Sequence, residues 1–543
     1  MLWRDTSIPL TLEQALGQML MLSFAGSQPS PEILETIRRQ HVGGITLFRS
    51  MNVRHPAQVR GLTARLQKAA ADSGQPLLLI AADQEGGQLM AVGDGATPFP
   101  GNMALGAAGS AELAYQTGSA IGRELAALGV NVNYAPVCDV NVNPDNPVVG
   151  TRSFGEDPAL VARLSAAMIE GLQAAGVVAV AKHFPGHGDT ATDSHHGTPI
   201  LPHDEARLRR IELPPFAAAV QAGVKMMMTA HIALPALNGG SDIPATLSAA
   251  VLRGLLRREL GFEGVIISDA MEMKAIEQGE GLGIDAIAAV VAGVDLLLLN
   301  ADLTDQHRIR SALRQAVRRT LISADDVTAS ARRILSLKHW LEEQTQPPFE
   351  VVGCAEHRAL AMDLATRSIT LVRDAARRLP LRPASGARVA AIMPWPGDLT
   401  PADTSSTVAP ALAGALRRYH PAVDEFIMPL NPSGNDVAAL RERMRDYHPI
   451  VVGTINATMH AGQAALVNAL LEDGRPTVTV ALRLPYDLRT YPAAPTYLCT
   501  YSILEPSLEA LAAALFGEQP CSGRLPVSIP GMYPPGHGLE GEV

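Results

Sequence analysis

Residues 182–195 read Lys182-His183-Phe184-Pro185-Gly186-His187-Gly188-Asp189-Thr190-Ala191-Thr192-Asp193-Ser194-His195, and four of the chain's fifteen histidines fall between positions 183 and 196. An apolar run, 177–181, leads into the stretch as a buried strand would. Such a density of imidazoles and carboxylates is not core chemistry; its candidate uses are proton transfer and metal binding. His183 and His187 have the i, i+4 spacing with which a helix aims two imidazoles at one ion, but Pro185 and Gly186 between them disfavour a helix. That argues against a metal site. His187 and His196 are read as hydrogen-bonded structural residues.

Something must hold these side chains together. Short apolar runs at 19–24, 44–48, 77–82, 130–135, 177–183, 225–231, 265–268 and 295–299 have the length and composition of strands. Helical periodicity fills the intervals, as at 56–71, 111–128, 158–175 and 247–260. Eight strand-helix alternations predict an N-terminal (β/α)8 TIM barrel, whose chemistry gathers at the carboxyl ends of its strands. The third run ends in Asp83-Gln84-Glu85-Gly86-Gly87, and the fourth runs on through Asp139 to a loop carrying Arg152. Lys182-His183 ends the fifth run, His231 the sixth and Asp269 the seventh. Charged groups seldom end apolar strands for packing reasons, so this pattern predicts a pocket.

From Glu342 the chain turns polar and proline-containing. The predicted organisation is a barrel over 1–341, a linker over 342–365 and a second domain over 366–543. In the last, strand-like runs at 388–393, 423–428, 450–455, 477–482 and 496–500 alternate with helical ones, predicting an α/β/α sandwich with a mostly parallel sheet.

The stretch 182–195 resembles the signature of family 3 glycoside hydrolases of the β-N-acetylglucosaminidase branch: Lys-His-Phe/Ile-Pro-Gly-His/Leu-Gly, four free positions, then Asp-Ser/Thr-His. Every fixed position matches. The resemblance implies that His195 is the general acid/base and Asp193 its partner. A carboxylate on one ring nitrogen fixes the tautomer and leaves the other nitrogen to deliver a proton. Ile266-Ile267-Ser268-Asp269-Ala270-Met271 is similar to the family's nucleophile strand end, which makes Asp269 the attacking carboxylate of a retaining glycosidase. The plainer account of Asp269 is a cap for the next helix. Asp83, Arg152, Lys182 and His183 match positions that in the family bind hydroxyls of the terminal sugar. For each of these, an intramolecular ion pair is the competing account. One departure stands out: after Asp83-Gln84-Glu85-Gly86-Gly87 the family continues Arg-Val and often a further Arg, whereas Gln88, Leu89, Met90 and Ala91 stand here. A cationic contribution to the pocket is lost, which weakens any preference for anionic aglycones such as peptidoglycan fragments.

The 543 residues, 47% apolar, suffice for two sizeable cores, and a net charge of -10 with interspersed signs marks no nucleic-acid or membrane surface. The expected partner is a small saccharide, with a monomer or weak homo-oligomer as the assembly. Cys138, Cys354, Cys499 and Cys521 are widely spaced and read as small apolar residues; with no basic start or apolar leader at the N-terminus, they predict a reducing, cytoplasmic setting. No cofactor is expected. The leading reading is a retaining exo-β-N-acetylglucosaminidase with a covalent glycosyl-Asp269 intermediate. Alternatives are a phosphorylase on the same site, a metal-dependent barrel amidohydrolase, and a non-catalytic sugar-binding relative. The amidohydrolase would need a His-X-His pair where the first strand ends Ser23-Phe24-Ala25-Gly26.

Overall fold

The computed structural model describes residues 10–194, 197–276 and 281–540. Eight parallel strands form the barrel: β1 (Leu20–Leu22), β2 (Gly44–Thr46), β3 (Leu79–Ala82), β4 (Val132–Asn133), β5 (Val178–Phe184), β6 (Met226–Thr229), β7 (Val265–Ile267) and β8 (Leu297–Leu298). They neighbour one another in chain order, β8 pairs back onto β1, and a bridge between Ile267 and Leu296 closes the ring. The eight predicted strands are all present, and all but β5 are shorter than their predicted runs. After β4 the reason is chemical: Pro136 accepts from the Lys182 N–H (3.2 Å) but has no N–H to return the bond. These single bonds still bind the chain beyond β4 to β5, so Lys182 and His183 project from a fixed backbone.

Three barrel helices, Pro56–Asp72, Ala111–Ala127 and Pro158–Ala174, lie within one residue of their predicted spans. Local chemistry sets their starts. His55, Ser110 and Asp157 accept from the N–H groups of Gln58, Leu113 and Ala159, and Pro56 and Pro158 occupy first-turn positions where a missing N–H costs nothing. The interval expected as a linker holds the helix Ala355–Ser368, which packs on the helices Asn102–Ala108 and Glu505–Phe516.

The second domain carries six strands: β9 (Thr370–Asp374), β10 (Val389–Pro394), β11 (Val423–Met428), β12 (Ile450–Thr454), β13 (Thr477–Ala481) and β14 (Thr496–Cys499). The sheet order is β9-β14-β13-β12-β10-β11, parallel except for edge strand β9, which runs antiparallel to β14. Strand β9 was not anticipated, because only three of its residues are apolar or β-branched before Arg373 and Asp374. Successive side chains point to opposite faces. Ala390, Ile392, Ile450 and Val452 therefore share one continuous core with the barrel, while Val389, Ala391, Met393 and Val451 pack in a separate core beyond the sheet. Among the described residues no helix is long and apolar enough to cross a membrane.

Candidate active site

A cavity of about 530 Å³ opens at the carboxyl ends of the barrel strands, lined by Asp83, Tyr134, Arg152, Lys182, His183 and Asp269 among others. Its charged wall is built across three strand ends. Lys182, at the end of β5, bonds Asp83 (2.6 Å) and Glu85 (2.7 Å), both beyond β3. Glu85 is also gripped by Arg152 through two hydrogen bonds, Nε to Oε2 at 2.9 Å and Nη2 to Oε1 at 2.8 Å. Burial alone would raise the Glu85 carboxyl, but Arg152 and Lys182 hold it down at about 2. The same exchange works on Lys182, which burial would lower and which Asp83 and Glu85 raise above its usual value. Two carboxylates thus balance two cations, and Asp83 is the member that keeps an exposed edge, its side chain 22% accessible.

Behind this wall Asp139 is fully buried. One of its oxygens accepts from the backbone N–H groups of His183 (3.1 Å) and His187 (2.7 Å), and the other from His183 Nδ1 (2.8 Å). Burial works to raise the Asp139 carboxyl, and His183 and His187 more than offset it. With Nδ1 committed to Asp139, Nε2 is the His183 ring nitrogen left for a ligand in the cavity. His187 has Nδ1 2.7 Å from the Thr190 hydroxyl and Nε2 3.1 Å from that of Ser194, and burial lowers its ring to about 4. The two rings stand edge to face, 5.9 Å apart, and His187 has both nitrogens engaged, so the pair does not converge on a common point. Asn146 accepts from Val148 and Val149 and donates to the carbonyls of His187 (2.9 Å) and Thr190 (3.1 Å), pinning the base of the loop. Asp193 is buried on that loop, and Ser194 reaches the cavity. His195 and His196 lie outside the described residues.

Asp269 follows β7 and lines the cavity; its Oδ1 accepts from the next residue's N–H, Ala270 (2.8 Å). His231, at the end of β6, donates from Nε2 to the Ala270 carbonyl (3.0 Å), bracing that turn. Glu272 also lines the cavity, and burial pushes its carboxyl up to about 7.

The second domain completes the cavity wall with Pro401 and Ala402. Gln88, where the family carries a cation, is the seam. Its Oε1 accepts from Thr151 Oγ1 (2.7 Å) and from buried Arg483, its carbonyl accepts from the Thr404 N–H (2.8 Å), and Arg483 pairs with Asp403 at 2.7 Å.

The structure brings Asp83, Arg152, Lys182, His183 and Asp269 to one cavity, with Asp193 buried at its edge. Sequence reasoning missed Glu85, Asp139, Gln88 and Arg483 as contributors. The polar ends of the third and fourth runs were the signal for Glu85 and Asp139; Arg483 had none.

A closed parallel barrel with a polar cavity at its strand ends, walled by balanced charges and floored by a strand-end carboxylate, defines an enzyme for a small polar substrate. The family model described as Glycosyl hydrolase family 3 N terminal domain matches residues 11–337, and the chain belongs to that family. It is 33% identical to β-hexosaminidase A of Pseudoalteromonas piscicida, over 96% of this chain and 98% of that protein. It is 31% identical to the β-N-acetylglucosaminidase/β-glucosidase of Cellulomonas fimi, over 96% and 95%. The solved family 3 β-N-acetylglucosaminidase from Paenibacillus sp. str. FPU-7 superposes with a TM-score of 0.91 at 39% identity, covering 96% of this chain and 99% of that one.

Proposed function

We propose that the protein is a retaining exo-β-N-acetylglucosaminidase that releases terminal β-linked N-acetylglucosamine. The single observation that carries this reading is that Asp269 lines the same cavity as Asp83, Arg152, Lys182 and His183, and that Ser194, next to Asp193, lines it too. The names of the relatives support the sugar. In the first step the Asp269 carboxylate attacks the anomeric carbon, the glycosidic C–O bond breaks, and the departing oxygen takes a proton from His195. In the second step His195 takes a proton from water, the water oxygen attacks the same carbon, and Asp269 leaves with its carboxylate restored. Asp193 orients the imidazole and stabilises its cation. The role of His195 rests on the motif; Asp83 and Lys182 suit vicinal hydroxyls, one accepting and the other donating.

The test compares two variants on an aryl β-N-acetylglucosaminide and on a disaccharide. Asp269→Ala removes the covalent route and lowers kcat on both by on the order of 10⁴. His195→Ala spares the first step on the aryl glycoside, giving a nitrophenol burst and acceleration by azide, and leaves the disaccharide nearly uncleaved. Appreciable turnover by Asp269→Ala, or equal losses on both substrates with no azide effect in His195→Ala, overturns the assignment.

A further inference from the structure

A second cavity of about 370 Å³ adjoins the first between the loop after β2 and residues 398–407 of the second domain. The two share Phe48, Asp83, Leu89 and Pro401, but Asp269 lines only the first. The groove therefore opens from the Asp83 side of the sugar pocket, not from the side of the scissile bond. Ala91, at a position where the family often carries Arg, lies in its wall, and so does Arg49.

Arg49 sits on a braced turn. It begins the short helical turn Arg49–Asn52, and buried Asn52 fixes that turn by accepting from the Phe48 N–H (2.9 Å) and donating to the carbonyls of Phe24 (2.9 Å) and Gly26 (3.0 Å). The guanidinium lies against Gly93, where a β-carbon would collide with it. Each carboxylate in the groove is already committed: Asp83 to Lys182, Asp398 to the N–H and hydroxyl of Ser406, and Asp403 to Arg483. Arg49 makes no hydrogen bond or ion pair with any described residue. A positioned, half-buried guanidinium with no acceptor among the described residues offers its donors to a ligand.

In a β-hexopyranoside whose anomeric carbon meets Asp269, C-4 stands across the ring and carries its hydroxyl, with the C-6 hydroxymethyl beside it. We propose that Arg49 is a substrate-contacting specificity residue, donating to the C-4 or C-6 hydroxyl of the terminal sugar beside Asp83 and filling the cationic place vacated at Gln88 and Ala91. Asp398, bonded only to the N–H and hydroxyl of Ser406, offsets the Arg49 charge in the groove, so the ligand is a neutral sugar. This rests on the sugar-pocket reading above.

The experiment pairs enzyme and substrate deletions, using 4-nitrophenyl β-N-acetylglucosaminide and its 4-deoxy and 6-deoxy analogues with the full chain. One deoxy analogue should lose about 10- to 100-fold in kcat/KM with the native protein, because the site is built to bond that hydroxyl. Arg49→Gln should show the same loss on the parent substrate and no further loss on that analogue. Adding Ala91→Arg to Arg49→Gln should return part of the activity from the other side of the groove. Gly93→Ala keeps the charge but displaces the guanidinium, and should reproduce the loss if Arg49→Gln fails to fold. Arg49→Gln within twofold of native on the parent, or deoxy penalties equal in both proteins, overturns the role of Arg49. Asp269→Ala run alongside separates the failures: if it is active the sugar-pocket reading falls and this proposal with it, whereas an inactive Asp269→Ala beside an unaffected Arg49→Gln rejects Arg49 alone.

Discussion

Glu85 in the barrel and Asp487 in the second domain are both carboxylates sealed from water, yet they lie at opposite ends of the acidity range. Glu85 sits between Arg152 and Lys182 and is held at about 2. Asp487 accepts from the Thr454 hydroxyl (2.6 Å), forms no ion pair among the described residues, and is pushed by burial up to about 7. The contrast lies in the partners, not in depth. Burial penalises charge in both places, and only where cations repay it does a carboxylate stay ionised across the working pH range. The barrel keeps a charged, balanced wall behind its substrate cavity, whereas the second domain holds an acid that keeps its proton well above the usual carboxylate range.

The strongest challenge to this contrast is Lys182→Met, which leaves Glu85 one cation and Asp83 none. We expect kcat/KM to fall by about 10³ and stability at neutral pH to fall by about 3–5 kcal/mol, since a buried charge is left short of its partner. Part of the stability should return near pH 5 as Glu85 takes up a proton. Melting curves across pH would show it, and a loss independent of pH breaks the comparison. Asp487→Asn is next. The folded protein holds that proton between about pH 4 and pH 7 while the unfolded chain releases it, so native stability declines as pH rises through this window, by up to about 4 kcal/mol. The variant should flatten the decline and be the more stable protein at pH 8, read by denaturant titration. The smallest effect sharpens the rule with the opposite sign. His187, buried and lowered to about 4, stays neutral in the fold while the unfolded chain protonates below its usual 6.5. Its contribution is therefore present above pH 6.5 and lost as pH falls towards 4, by about 3 kcal/mol. His187→Gln should remove that acid-side slope in thermal scans.

Most of the barrel was legible because its signals are local. Pro56, Pro158 and their caps announce helices, and the apolar runs before Asp83, Lys182 and Asp269 announce strands whose ends meet in one place. What Lys182 and Arg152 bond was not legible, since Glu85 lies 97 positions from the one and 67 from the other, and only barrel closure makes them neighbours. The seam was hidden more deeply: Gln88 looks like a lost cation until Arg483, 395 residues away, is seen bonded to it. Strand β9 escaped because its pairing with β14, and not its own composition, makes it a strand.

The Gln88 seam also sets a clock. The last barrel strand ends at Leu298, and Arg483 follows about 185 residues later, so at roughly 5–20 residues per second a ribosome needs roughly 10–40 s to supply the partner of a barrel already able to close. During that interval Gln88 awaits its second-domain contacts, and the cavity stands without the wall formed by Pro401 and Ala402. Competence on this chain therefore arrives well after the last residue assigned to the chemistry, Asp269, has been made.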